Sequence, residues 1–290
     1  MKRLFSLFLC LSFPLFALPC AAAADFASEE DFAQWLVGYH RRPEPARLSG
    51  AFHYAATSGW LGGPGLFSGV FSGFLAGVFR DNPEKVPGWQ TEWSTLGKAV
   101  ADKEEDDAED DAEDGEAMAG REAIVFFALW YAERPDLRQM ARAMREKNEN
   151  VKSLAHMNVK LLAHMIQNYH DDARSLEEIP LNQGEWVVSA LWGKFYATGE
   201  VTALERTLQA LPWEENPALA EYGNQPLGVI FAPQWIGRTA HWMLSDAAYL
   251  DPRMLELCET FLEQTRDTAI AEALRGIVAE VKKAKAAAKK

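Results

Sequence analysis

The sequence predicts an all-α fold, an irregular bundle or short solenoid of helical hairpins, and three observations carry the prediction. Helix starts recur as a polar residue before proline, in Asn82-Pro83, Asn216-Pro217 and Asp251-Pro252; proline suits the first helical position, where its missing N–H has no intrahelical acceptor to lose. Apolar residues recur three and four apart, as in Phe32, Trp35, Leu36 and Tyr39, the spacing of one helix face. Only Leu227 to Ala232 reads as a strand, and a single short strand makes no sheet.

Residues 1-24 have the layout of a signal peptide. Lys2 and Arg3 give a basic start, Leu4 to Leu18 is uncharged and apolar, and Ala22-Ala23-Ala24 supplies small side chains for cleavage after Ala24. Lipidation of Cys20 is the lesser reading, because Pro19 stands where a small residue is wanted. The expectation is a periplasmic or secreted protein. Cleavage would remove Cys10 and Cys20 and leave Cys258 alone, so no internal disulfide could form. Cys258 lies at helical spacing among apolar residues, the setting of an inert buried thiol.

Residues 25-101 are expected to form an N-terminal helical part. Ser28-Glu29-Glu30-Asp31 resembles a capping box with Asp in the place of Glu or Gln. From Gly65 to Phe79, small and large residues separate onto opposite halves of a helical wheel, with Gly65, Gly69, Gly73 and Gly77 on the small half. A face of that kind lets a second backbone approach closely. Each helical glycine costs about 1 kcal/mol relative to alanine, so a compensating contact is expected. Trp60 to Phe79 is uncharged, but Gly62-Gly63-Pro64 breaks it and leaves about fifteen helical residues, short of a bilayer span. The predicted role of the face is to pack against a crossing helix; membrane contact or self-association is the lesser reading.

Residues 102-117 are predicted to be a disordered acidic insertion, since Asp102 to Glu116 carries eleven carboxylates and one lysine. The run is not an EF-hand: with Gly115 at the required glycine, Ala112 and Arg121 fall at ligand positions. Residues 118-281 are expected to continue the same domain as hairpins. Aromatic-rich helices end at turns in Arg134-Pro135-Asp136, Thr198-Gly199 and Asp251-Pro252, as Trp35 to Tyr39 does before Arg42-Pro43. The spacing is irregular, so this is no fixed-period array. Residues 282-290 form a basic tail.

Phe32-Ala33-Gln34-Trp35-Leu36, the stretch from Phe74 to Pro83, and Leu191 to Gly199 resemble segments of an uncharacterised family of exported bacterial all-helical proteins. The hairpins are also loosely similar to tetratricopeptide hairpins, without their period. The resemblance implies export and a helical fold; it implies no activity, because none of these segments holds a catalytic residue.

Function is less legible. Leu154-Ala155-His156-Met157 recurs as Leu162-Ala163-His164-Met165, but the two histidines fall about 80° and about 12 Å apart on a helix, too far to share a metal. His164 with Met157, or His170 with Asp171, could contribute to a metal site completed from elsewhere in the chain, a histidine and methionine pair suiting copper, but the reading is surface histidines beside core methionines. The chain has no zinc-protease helix, nucleophile elbow or phosphate loop, so no catalytic residue, metal or cofactor is expected. A charge of -13 opposes a nucleic-acid partner. Ten tryptophans read first as core; Trp89, Trp93, Trp213 and Trp235 are the candidates for a groove where aromatics meet a ligand. The expectation is an exported, non-catalytic binding or scaffold protein whose partner is another protein or a cell-envelope ligand. The alternatives are a cell-envelope enzyme with its active site drawn from separate helices, and membrane association through Gly65 to Phe79.

Overall fold

The computed structural model describes residues 26–61, 66–93, 111–147, 175–220 and 233–288, and among them every regular element is a helix. Helix α1 (Glu29–Gly38) begins where the Ser28 hydroxyl accepts from the Asp31 N–H at 3.2 Å. Asp31 reaches back to the Ala27 N–H, at 3.3 Å, one residue before the Ser28 N–H of an ordinary capping box. After α2 (Leu48–Thr57), the glycine-rich segment forms α3 (Leu66–Asp81). Asn82-Pro83 starts a short 3₁₀ turn, Pro83–Lys85, that leads into α4 (86–93).

Helix α5 (Asp111–Tyr131) starts inside the acidic run, so the expected disordered insertion is corrected for its last residues. Ala112, Glu113, Glu116 and Ala117 are good helix formers, and carboxylates near a helix N-terminus meet the positive end of its dipole. Residues 102–110 lie outside the described residues, as do Gly65, His156, His164, His170 and the strand-like Leu227 to Ala232. A short turn links α5 to α6 (Pro135–Lys147), and α7 (Glu185–Thr198) and α8 (Val201–Leu208) form the next hairpin. Gly199 ends α7 in a left-handed conformation at φ +72°, its N–H bonded to the Phe195 carbonyl at 2.7 Å.

Three helices close the chain: α9 (Pro233–Leu250), α10 (Pro252–Gln264) and α11 (Thr268–Ala288). Asp251 caps α10 by accepting from the Arg253 N–H at 2.9 Å. Lys282, Lys283 and Lys285, read as a basic tail, belong to the last turns of α11. Lys285 donates to the Ala248 carbonyl at 2.9 Å, and Lys282 pairs with Glu259 at 2.6 Å.

The centre of the bundle is the crossing of α3 with α7, the most extensive helix contact among the described residues. Nearly every residue of α7 from Trp186 to Ala197 is buried, as expected of a helix without a polar face. The approach is set by glycine on both sides. A Cβ added at Gly73 would lie 1.8 Å from the Ala190 carbonyl oxygen, and one added at Gly193 would lie 1.8 Å from that of Val70. Gly69 and Gly77 abut Ser189 and Ala197 in the same seam. The glycine face of α3 is therefore covered by α7, and no helix among the described residues is long and apolar enough to cross a membrane.

Candidate functional site

Three of the four tryptophans expected at a groove are core residues. Trp89 and Trp93 are buried on α4, stacked on each other at 6.5 Å with ring planes 5° apart. Trp93 also lies flat against Phe52 at 4.1 Å, and Phe79 closes the stack from α3. Trp213 is buried in the 3₁₀ turn Leu211–Trp213, where Gly237 of α9 lets the chain come close. Large planar rings at helical spacing bury more apolar area inside than at a rim, which is why these three turn inward. Trp235 alone is exposed, at 58%, and the Arg238 guanidinium lies 5.0 Å from its ring centroid.

Two other features could carry chemistry, and both involve α7. The first is an ionic node at Lys194, which is 3% exposed. Its ammonium donates to Glu133 at 2.6 Å and to Glu177 at 2.9 Å. Glu200 stands 4.0 Å away and is held by Arg80 at 2.8 Å, the chief cause of a Glu200 pKa below the usual carboxylate value. Arg206 donates to the carbonyls of Glu177 and Ile179, fixing the segment that presents Glu177. Glu133 takes a left-handed conformation at φ 59°, a strained geometry for a residue with a side chain. The node ties α3, α7, the α5–α6 turn and the segment before α7 into one knot. With its ammonium buried and directly bonded to two carboxylates, Lys194 is an anchored structural charge.

The second feature is an apolar groove on another side of α7, between α1, α3, α9 and α10. Its volume is about 200 Å³, roughly that of seven water molecules in the liquid. Its lining includes Phe195 and Tyr196 of α7, Trp60, Phe67 of α3, and Trp242 and Leu250 of α9. Phe67, Trp242 and Leu250 remain 46%, 50% and 79% exposed. Large apolar side chains grouped at one opening differ from the scattered exposure that needs no explanation.

Few polar groups face this groove. The His40 ring packs on Phe195 at 5.3 Å and against Gly199, where a Cβ would stand 3.0 Å from it. Burial, reinforced by the positive charge of Arg41, lowers the His40 pKa, and its Nδ1 is buried with no hydrogen-bond partner among the described residues. Arg41 is ion-paired with Asp251 at the rim. Asp246 has neither a hydrogen bond nor an ion pair among the described residues, and its partial desolvation raises its pKa. Burial and the nearby Asp246 charge both raise the Tyr196 pKa. The groove can therefore exclude water from an apolar group, and it offers a neutral imidazole and one unpaired carboxylate at its edge.

No group of three or more His, Cys, Asp or Glu side chains suited to a metal occurs among the described residues. Cys258 is fully buried and its thiol is pushed up to about 12 by desolvation, so it stays protonated and unreactive at neutral pH.

The groove residues were not singled out by sequence. A signal for one of them, Trp242, is present on α9, where it stands seven residues from Trp235 and from Tyr249 while Ile236, Ala240, Met243 and Leu244 supply a separate core face. A helix with two apolar faces has one more than its core needs.

Comparison with protein-family models, with curated proteins and with solved structures finds no match to this chain.

Proposed function

We propose that this chain is an exported, periplasmic, non-catalytic helical protein that binds an apolar ligand in the groove beside α7. The groove supports this reading through one observation: Phe67, Trp242 and Leu250 stand exposed around a cavity whose lining is mainly apolar. Pockets of this composition gain affinity by removing ligand surface from water, while a few polar groups orient it. The export part of the reading rests on the layout of residues 1-24.

Titration with n-hexanol, a neutral chain that matches the cavity volume, tests binding through the indole N–H resonances of Trp60 and Trp242. Saturable shifts at these two signals, lost in Trp242→Ala, are expected. Shifts that stay linear with concentration, or that spread over all ten tryptophans, would rule the groove out. Cell fractionation with sequencing of the mature N-terminus tests export; the expected product begins at Asp25, and a cytoplasmic protein beginning at Met1 would reject it.

A further inference from the structure

The groove carries one unbalanced charge, and its position specifies a ligand more narrowly than apolarity does. Arg41 and Asp251 neutralise each other at the rim, and His40 is held neutral. Asp246 remains, without a hydrogen bond or ion pair among the described residues. On α9 it lies four residues after Trp242 and four before Leu250, so the three share one helix face at the mouth of the groove.

Aromatic rings present a negative face, so Trp242, Phe67 and Tyr196 attract a positive group and disfavour a negative one. The same helix face already shows the pairing one stretch earlier, where the Arg238 guanidinium lies over Trp235. Trp242 has no cation of the chain over its ring among the described residues. We propose that the groove binds a small organic cation on an alkyl stem, its charge held by Asp246 and Trp242 and its stem laid against Phe67 and Tyr196. This assignment rests on the groove being a ligand site and adds the chemical class of the ligand.

Charge complementarity makes the choice of cation over anion. A carboxylate ligand would meet Asp246, and Arg41, the arginine that lines the groove, is already engaged by Asp251. A neutral chain would gain nothing from the Asp246 carboxylate at the mouth. The cavity volume of about 200 Å³ matches a stem of about six carbons.

Three probes of equal length separate the outcomes by isothermal titration calorimetry: n-hexylammonium, n-hexanol and n-hexanoate. The wild-type protein is expected to bind hexylammonium about tenfold more tightly than hexanol, with hexanoate weakest. Asp246→Asn should bring hexylammonium to the level of hexanol and leave hexanol unchanged, and a melting curve matching wild type confirms that the exposed substitution leaves the fold intact. Equal binding of ammonium and alcohol by wild type, or an undiminished cation preference in Asp246→Asn, overturns the cation assignment while the groove reading stands. No binding of any of the three through the millimolar range overturns both.

Discussion

Lys194 and Tyr196 lie two residues apart on α7 and belong to regions built in opposite ways. Around Lys194 the charge is buried and matched: Glu133, Glu177 and Glu200 face the ammonium, and Arg80 holds the outermost carboxylate. Around Tyr196 the surface is apolar and unmatched, with exposed rings, an unpartnered His40 Nδ1 and an unpaired Asp246. The difference sets a satisfied structural charge apart from the surface proposed to bind a ligand. A buried charge is tolerable only when its partners close over it, which leaves nothing for a ligand. An unsatisfied buried polar atom costs about 1–3 kcal/mol, and exposed apolar area adds to that unless something covers it.

The sharpest way to break this comparison is at the node. Lys194→Met strands Glu133 and Glu177 without their cation, and a loss of about 3–5 kcal/mol is expected, read as a lower denaturant midpoint. Hexanol binding by the folded fraction should be unchanged; intact stability with lost binding would reverse the roles assigned to the two regions. Gly73→Ala attacks the seam behind both regions. Its Cβ has backbone 1.8 Å away, so α3 and α7 must separate, at a cost of about 3 kcal/mol. The same change at Gly88, an exposed helical position where a Cβ meets nothing within 4 Å, is the control and should raise the midpoint slightly, by at most about 1 kcal/mol of added stability.

Effects at the groove should be small on stability and large on binding. Trp242→Ala removes an exposed ring, so stability should stay within about 0.5 kcal/mol while hexanol affinity falls about tenfold, the loss expected of an aromatic anchor. A destabilisation of several kcal/mol would show Trp242 to be core and remove the contrast. The smallest effect is on pH dependence. Because the folded protein holds the His40 pKa below its ordinary 6.5, the unfolded chain takes up the proton first as the medium is acidified. The stability associated with neutral His40 is therefore present above about pH 6.5 and lost as pH falls through the lowered folded value. His40→Gln should flatten the fall in melting temperature between about pH 7 and pH 5 relative to wild type; parallel curves would show that His40 is not the group responsible.

What the sequence made legible depends on how local the cause is. The caps at Ser28 and Asp251, the left-handed end of α7 at Gly199 and the inert setting of Cys258 follow from neighbours within a turn. The small face of α3 could be read as a demand for a close partner, but the partner, with its own Gly193, is more than a hundred residues away. Trp89 and Trp93 are core rather than groove residues because they stack on Phe52 and Phe79, outside their own helix, which local spacing cannot show. The groove is a still harder case: His40, Phe67, Tyr196 and Trp242 come from separate elements, and no one of them is unusual where it stands. Lys194 did leave a mark, a single cation in the otherwise apolar run Trp186 to Ala197, although nothing nearby names Glu133 as its partner.

The silence of Cys258 has a practical consequence. Once residues 1-24 are removed as proposed, Cys258 is the one thiol left, and because it is sealed and protonated the mature chain presents a blank background to thiol reagents. A cysteine introduced in place of Trp242 or Leu250 would be the single site to take a fluorophore or spin label, which would report occupancy of the groove from its own edge.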